Sequence, residues 1–162
     1  MATAPLYSLE ESIERACVSV LTGVTSLATL TIVHGDASDE VPLPYISVRA
    51  ERQEEVTPAM QTWQLRLAVS LSCAADKTTD EETDARRYPE DEDDDAGEPG
   101  FAAYWKTLSD TLTASTFRDS INAQEIVYAW GIIWEPVTVA NTDRAFVRTA
   151  TAQVWCNQAY PA

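Results

Sequence analysis

The chain has 162 residues, the size of one domain, and its 45% apolar content with five Trp, six Tyr and three Phe is enough for a single core. It carries 26 acidic against 11 basic residues, a formal net charge of −15, which excludes a surface built to grip nucleic acid, because affinity for phosphate comes mainly from Lys and Arg. No apolar run approaches the ~20 residues of a membrane span, and the start MATAPLYSLEE lacks the basic residues and continuous apolar block of a signal peptide, so a soluble protein is expected that folds where it is made.

Ser8 followed three residues later by Glu11 has the form of a capping box. Leu9, Ile13, Ala16, Cys17, Val20 and Leu21 then fall on one face at spacings of three and four, so the pattern predicts a helix over 9–22, with Gly23 placed to stop it. Leu27 to Val33 reads as a short strand or an irregular crossing, ended by the turn-like His34-Gly35-Asp36. Tyr45 to Glu55 predicts a strand with Ile46, Val48 and Ala50 on one side. The clearest strand is Thr62 to Cys73, where Trp63, Leu65, Leu67, Val69, Leu71 and Cys73 alternate with Gln64, Arg66, Ala68, Ser70 and Ser72. Joined through Thr57-Pro58-Ala59, these two strands should form a long antiparallel hairpin.

Residues 76–99 interrupt the pattern with twelve acids and three bases (Lys77, Arg86, Arg87), a local net charge of −9 that is densest at Asp91, Glu92, Asp93, Asp94 and Asp95. So little apolar content cannot offset the entropy of ordering the chain, and the stretch reads as a flexible acidic insertion within one domain spanning 1–162. A second helix is predicted from about Gly100 to Ala114 on the stripe Phe101, Tyr104, Trp105, Leu108 and Leu112, followed by a short helical turn near Thr116 to Asn122. Ile126 to Val139 and Ala145 to Cys156 read as two further strands joined by Ala140-Asn141-Thr142-Asp143, with Pro136 weakening the first or putting it at an edge. The expected fold is α+β: an antiparallel sheet of four to five strands, two main helices on one face and a long acidic loop.

Strict alternation from Ile126 to Trp134 puts Ile126, Tyr128, Trp130, Ile132 and Trp134 on one side and Val127, Ala129, Gly131 and Ile133 on the other, so both sides are apolar. Helices on one face of the sheet leave the second apolar side to be covered, and another copy of the chain is the simplest cover. Trp130, Trp134 and Trp155 are the candidate interface anchors, with closure of the chain's own core against helix 100–114 as the alternative use of the same side chains.

Enzyme chemistry finds little support. There is no phosphate loop, nucleotide fingerprint or nucleophile elbow, and the five glycines are scattered. The single histidine, His34, reads as a turn residue with its ring in solvent. Cys17, Cys73 and Cys156 are odd in number and lack metal-ligand spacing, and they read as reduced, buried thiols of an intracellular protein. The acids Asp91, Asp93 and Asp95 fail a calcium-loop register, since Ala96 falls where the glycine is needed and Ala102 where a bidentate Glu is needed. No catalytic residue, cofactor, metal or small-molecule substrate is expected.

The order of elements resembles the tail-terminator and tail-completion (head-tail joining) proteins of tailed bacteriophages. The resemblance rests on the helix 9–22, the strand entry Leu43-Pro44-Tyr45-Ile46-Ser47-Val48, the hairpin through Trp63 to Cys73, the helix carrying Phe101, Tyr104, Trp105 and Leu108, and the final strand Arg144 to Trp155. It implies a structural virion protein, assembled in the host cytoplasm, whose copies form a ring, commonly hexameric, at the top of the tail tube. Its partners would be other copies of itself, tail tube proteins and head-neck proteins. Genomic DNA would pass through a negatively charged channel without being tightly bound. Another neck or tail component, such as a head-tail adaptor or tube subunit, is the alternative, and an acidic DNA mimic a more distant one.

Overall fold

The computed structural model describes residues 8–28, 30–35, 44–57, 62–74, 92–93, 98–99, 101–141 and 145–157. In chain order these form α1 (Leu9–Thr22), β1 (Thr31–His34), β2 (Tyr45–Thr57), β3 (Thr62–Ala74), β4 (Glu92–Asp93), β5 (Glu98–Pro99), α2 (Phe101–Thr113), α3 (Phe117–Asn122), β6 (Tyr128–Trp134), β7 (Thr138–Asn141) and β8 (Ala145–Asn157). The α+β class holds, with two corrections to its detail: the main sheet has six strands and it is mixed. The short helical turn expected near Thr116 to Asn122 is the helix α3 beside the two main ones.

The sheet runs β1-β2-β3-β8-β6, with β7 also pairing with β8. Its middle is the antiparallel ladder of β3 and β8, in register along all thirteen residues of each, from Thr62 opposite Asn157 to Ala74 opposite Ala145. β2 adds to β3 as the long hairpin arm, bulged between Arg52 and Glu54 and between Glu55 and Thr57. β1 is parallel to β2, Thr31 opposite Tyr45 and His34 opposite Val48, so the segment read as a strand or a crossing is a strand. Gly35 ends it at φ +79°, a left-handed conformation that glycine adopts without a Cβ penalty, and its N–H donates to Val48 O at 2.7 Å.

Pairing partners fix one buried face. Ile46, Val48 and Ala50 of β2 lie opposite Leu71, Val69 and Leu67 of β3, which lie opposite or beside Ala150, Ala152 and Val154 of β8. Each of these is buried, as are Leu9, Ile13, Ala16, Cys17 and Leu21 of α1, Trp105, Leu108 and Leu112 of α2, and Phe117 and Ile121 of α3, all in one cluster. All three helices therefore pack on one side of the sheet. A fully buried Leu contributes about 1.5–3 kcal/mol relative to exposure, so this single face supplies most of the drive to fold. The Phe101 side chain expected in the α2 stripe lies outside the described set.

The start of α1 follows its sequence signal: the Ser8 hydroxyl accepts from Glu11 N–H at 3.2 Å. The Glu11 carboxylate turns instead to Arg15 at 2.9 Å, so the capping box is not reciprocal. Gly23 does stop the helix, but at φ −74°, a right-handed conformation open to any residue, so the stop does not use the left-handed freedom of glycine. Of the acidic stretch 76–99, Glu92–Asp93 and Glu98–Pro99 form a two-residue antiparallel ladder apart from the main sheet; Asp91, Asp94, Asp95 and the remainder lie outside the described residues.

One charged side chain inside this core has a defined task. β1 ends at His34, and beyond it the outer edge of β2 would be left without a partner. There the buried Glu14 of α1 accepts from Ala50 N–H at 2.8 Å, doing for one backbone donor what a longer β1 would have done. Its other oxygen lies 3.7 Å from His34 Nδ1, so the ring reading of His34 is amended: the side chain is 40% exposed but turns toward a buried carboxylate. Burial raises the Glu14 pKa above its ordinary value, with the Ala50 hydrogen bond and His34 acting against it. The folded state then binds the Glu14 proton more tightly than the unfolded chain. The resulting stabilisation is complete below the ordinary carboxylate value of 4.5 and is lost as pH rises through the raised value. Glu14→Gln, which keeps the acceptor, should equal or exceed the parent in stability at pH 7, by a margin that narrows as pH falls toward 4.5. Glu14→Ala, which orphans the Ala50 N–H, should cost about 1–3 kcal/mol. Urea unfolding of the three proteins across that pH range checks both.

Candidate subunit interface

The opposite face of the sheet carries no helix among the described residues. Its central positions are small and polar: Ser47, Ala68, Ser70, Ser72, Thr149, Thr151 and Gln153, with Ser70 and Thr149 hydroxyls 2.8 Å apart across the ladder. Its charges are paired, Arg49 with Glu51 at 2.8 Å and Arg66 with Glu135 at 3.8 Å. Among the described residues the centre of this face is thus close to neutral. Toward the hairpin tip the same face also carries Glu54, in line with Gln64, Trp155 and Gly131.

The strand expected to be apolar on both sides is built differently from its alternation. Ala129 lies opposite Cys156 and Gly131 opposite Trp155, which leaves Trp130 as the extra residue of a β-bulge. The bulge reverses the pattern. Val127 and Ala129 before it and Ile132 and Trp134 after it all turn toward the helices, whereas Gly131 and Ile133 share the open face with Trp155. The two-sided apolar reading is corrected accordingly: one side of this strand is core, and the apolar surplus is concentrated on Ile133 and on the bulged Trp130. Side chains of α3 hold the bulge in place. The Asn122 amide donates to Ala129 O at 3.0 Å and accepts from Ala129 N–H at 2.7 Å, and Arg118 donates to Trp130 O at 2.9 Å.

The three candidate tryptophans therefore occupy different settings. Trp134 is half-buried on the helix side, its ring 6.0 Å from Phe117 and tilted by 50°. Trp155 is half-buried on the open face, where its ring lies beneath Gly131, 3.6 Å from where a Cβ would stand. Trp130 is 42% exposed, and its Nε1–H donates at 3.0 Å to Asn157 Oδ1, which also accepts from the Thr62 hydroxyl at 2.8 Å. Trp134 and Trp155 line one cleft together and Trp130 does not. That cleft, about 570 Å³, runs beside β6 between Leu112, Phe117 and Arg118 of the helices and Gly131 to Trp134 of the strand.

Pro136 divides the strand after Trp134, and both pieces pair with β8. Among the described residues, the outer margin of β6 and β7 carries four of the five exposed large apolar side chains, Trp130, Ile133 (59% exposed), Val137 and Val139 (60%); the fifth, Val56, is on the hairpin arm. Sequence reading missed Ile133, Val137 and Val139. Their signal was present in Pro136, which marks an edge, but strict alternation assigned Ile133 to a broad face.

Burial pushes the thiols of Cys17, Cys73 and Cys156 up to about 12, which keeps them protonated and poor as nucleophiles or ligands. Among the described residues no group of three or more His, Cys, Asp or Glu could hold a metal ion, and no helix is long and apolar enough to cross a membrane. No protein-family model matches the chain, and no curated protein matches its sequence.

The different settings of the tryptophans separate two mutants. Trp134→Ala should destabilise the fold by about 2–4 kcal/mol, toward the ~3–5 kcal/mol typical of a large aromatic in a core. Trp130→Ala should cost about 1 kcal/mol, the scale of one hydrogen bond and partial burial. Denaturant unfolding of the two variants in parallel provides the comparison.

Proposed function

We propose that this protein is a ring-forming structural subunit of a bacteriophage tail, the terminator that closes the tube and joins it to the neck. The observation that carries the reading is the margin of β6 and β7, where Trp130, Ile133, Val137 and Val139 are exposed along one edge of an otherwise well-packed sheet. Such a concentration of apolar surface suits association with further protein, and a closed ring uses the same edge on every copy. The resemblance in element order to tail-terminator proteins supplies the assembly in which such a ring would sit.

The charge has a role in this reading. A genome leaving through a ring would adhere to a basic wall, whereas fixed carboxylates repel phosphate. The described centre of the open face is nearly neutral, so the acids of 76–99 and of the β2 arm are the proposed source of that field. The expected partners are further copies of the chain, the tube below and neck proteins above, in the virion.

Sizing the purified protein by light scattering, with electron microscopy of the assemblies and gold labelling of virions, tests this reading. Closed rings located at the head-proximal end of the tail are expected. Long tubes would assign the chain to the tube instead, and a stable monomer absent from virions would overturn the proposal. Replacing the acids of 76–99 by their amides should leave rings intact and lower infective titre by at least tenfold; an unchanged titre would remove the electrostatic role from the insertion.

A further inference from the structure

Glu135 N–H donates to Thr151 O at 2.8 Å, which fixes the direction of every backbone group in the last part of β6. Antiparallel residues alternate between pointing both groups at the partner strand and pointing both away. Glu135, Ile133 and Gly131 therefore bond inward to β8, and Ile132 and Trp134 turn their N–H and C=O outward, into the cleft that runs beside this strand. Arg118 and Asn122 occupy the margin only as far as Trp130.

The far edge of the sheet is β1. Gly35 N–H bonds inward to Val48 O, so by the same alternation Ile32 and His34 direct their backbone groups outward. β1 and β2 run one way, β3 the other, β8 with β1, and β6 against it. A second copy laid beside the first would thus bring its β1 antiparallel to β6.

Resting on the ring reading above, we propose that β6 of each copy pairs with β1 of the next, Ile132 exchanging backbone hydrogen bonds with His34 and Trp134 with Ile32. Ile133 then meets Val33 directly across the seam on the open face, in a non-hydrogen-bonded pair, the closer of the two antiparallel spacings. The segments match in length, Thr31–His34 against Gly131–Trp134, and neither carries Lys, Arg, Asp or Glu in a chain of net charge −15. On the helix side, Ile32 and His34 of the incoming copy would enter the cleft beside Ile132, Trp134 and Phe117.

The register also allows closure. A line across the sheet from Ile133 passes Gln153, Arg66 and Glu51, whereas Val33 lies opposite Ser47, four residues nearer the start of β2. Each copy would displace the next by roughly 13 Å along the strands over five strand spacings of ~4.8 Å. That corresponds to strands tilted roughly 30° from the ring axis, a little below the ~35–45° of closed barrels. A constant stagger of one sense, absorbed by tilt, permits a ring rather than an open stack.

Cysteine cross-linking in the full chain tests the seam, because a non-hydrogen-bonded pair suits a disulfide and the three native thiols are buried. The double variant Val33→Cys/Ile133→Cys should give, on mild oxidation, a non-reducing ladder extending beyond the dimer. Equimolar Val33→Cys and Ile133→Cys single variants should give dimers only when mixed. Dimers from Ile133→Cys alone would show a two-fold pairing of β6 with itself and overturn the proposal. Ile133→Lys, at an exposed position, should leave a folded monomer with at least a tenfold weaker association. Absence of the ladder together with unaltered assembly of Ile133→Lys would equally overturn it. Because these readouts concern the seam alone, a ladder without tail labelling would reject the terminator reading and keep the edge pairing; tail-located rings without a ladder would do the reverse.

Discussion

The thirteen-residue ladder between β3 and β8 is the constraint from which the rest of the molecule follows. It joins residues about eighty positions apart in the chain, and its alternation makes one face of Leu65, Leu67, Val69, Leu71, Ala150, Ala152 and Val154. A slip of one residue would send that set to the opposite face, so the burial beneath three helices holds the register as firmly as the hydrogen bonds do. Once β8 is fixed, its second edge must be filled. β6 and β7 fill it in two pieces because Pro136 cannot donate to a ladder.

The two margins of the sheet are treated differently. On the β2 side, α1 lies close enough for Glu14 to take the Ala50 N–H and for Glu10 to bridge Arg52 at 2.6 Å, while Arg52 also stacks 4.4 Å above the Trp63 ring. Those contacts blunt the part of β2 that β1 leaves bare. On the β6 side, α3 does the same for Ala129 and Trp130 only. Among the described residues the outward-facing stretches without acidic or basic side chains are β1 at one margin and Gly131–Trp134, with β7 beyond Pro136, at the other. Exposed edges of this kind ordinarily invite uncontrolled pairing, and proteins commonly guard them with Lys, Pro or bulges. Here the Trp130 bulge and Pro136 bracket the open segment and limit its length, a pattern that favours one register over many.

How much of this was legible in the sequence depends on the distance over which each residue's signal acts. Ser8 and its capping bond, the alternation of Trp63 to Cys73 and the stripe Trp105, Leu108 and Leu112 are local patterns, and each produced the element it announced. The parallel pairing of β1 was not legible, since strand direction is set by where the chain returns and Thr31–His34 is compatible with either sense. The reversal within β6 was hidden for a similar reason. A bulge depends on the partner, and what stabilises this one is Asn122 and Arg118 from the preceding helix, which no period-two reading of Ile126 to Trp134 can include. Trp130, Trp134 and Trp155 looked alike by composition and separated only when the bulge gave each its own side.

The placement of charge relative to these margins is the last link between sequence and assembly. Like charges on facing strands sit about 5 Å apart and oppose pairing directly, so a self-associating edge in an acidic protein has to be neutral. The acidic insertion leaves the sheet after Ala74, seven residues along β3 from Leu67, which stands in line with Ala152 and Trp134. At ~3.3 Å per residue that separation is about 23 Å along the strand, more than twice the ~8–10 Å over which salt screens exposed charges. The point where β3 gives way to the insertion is thus beyond the screening distance from Gly131–Trp134.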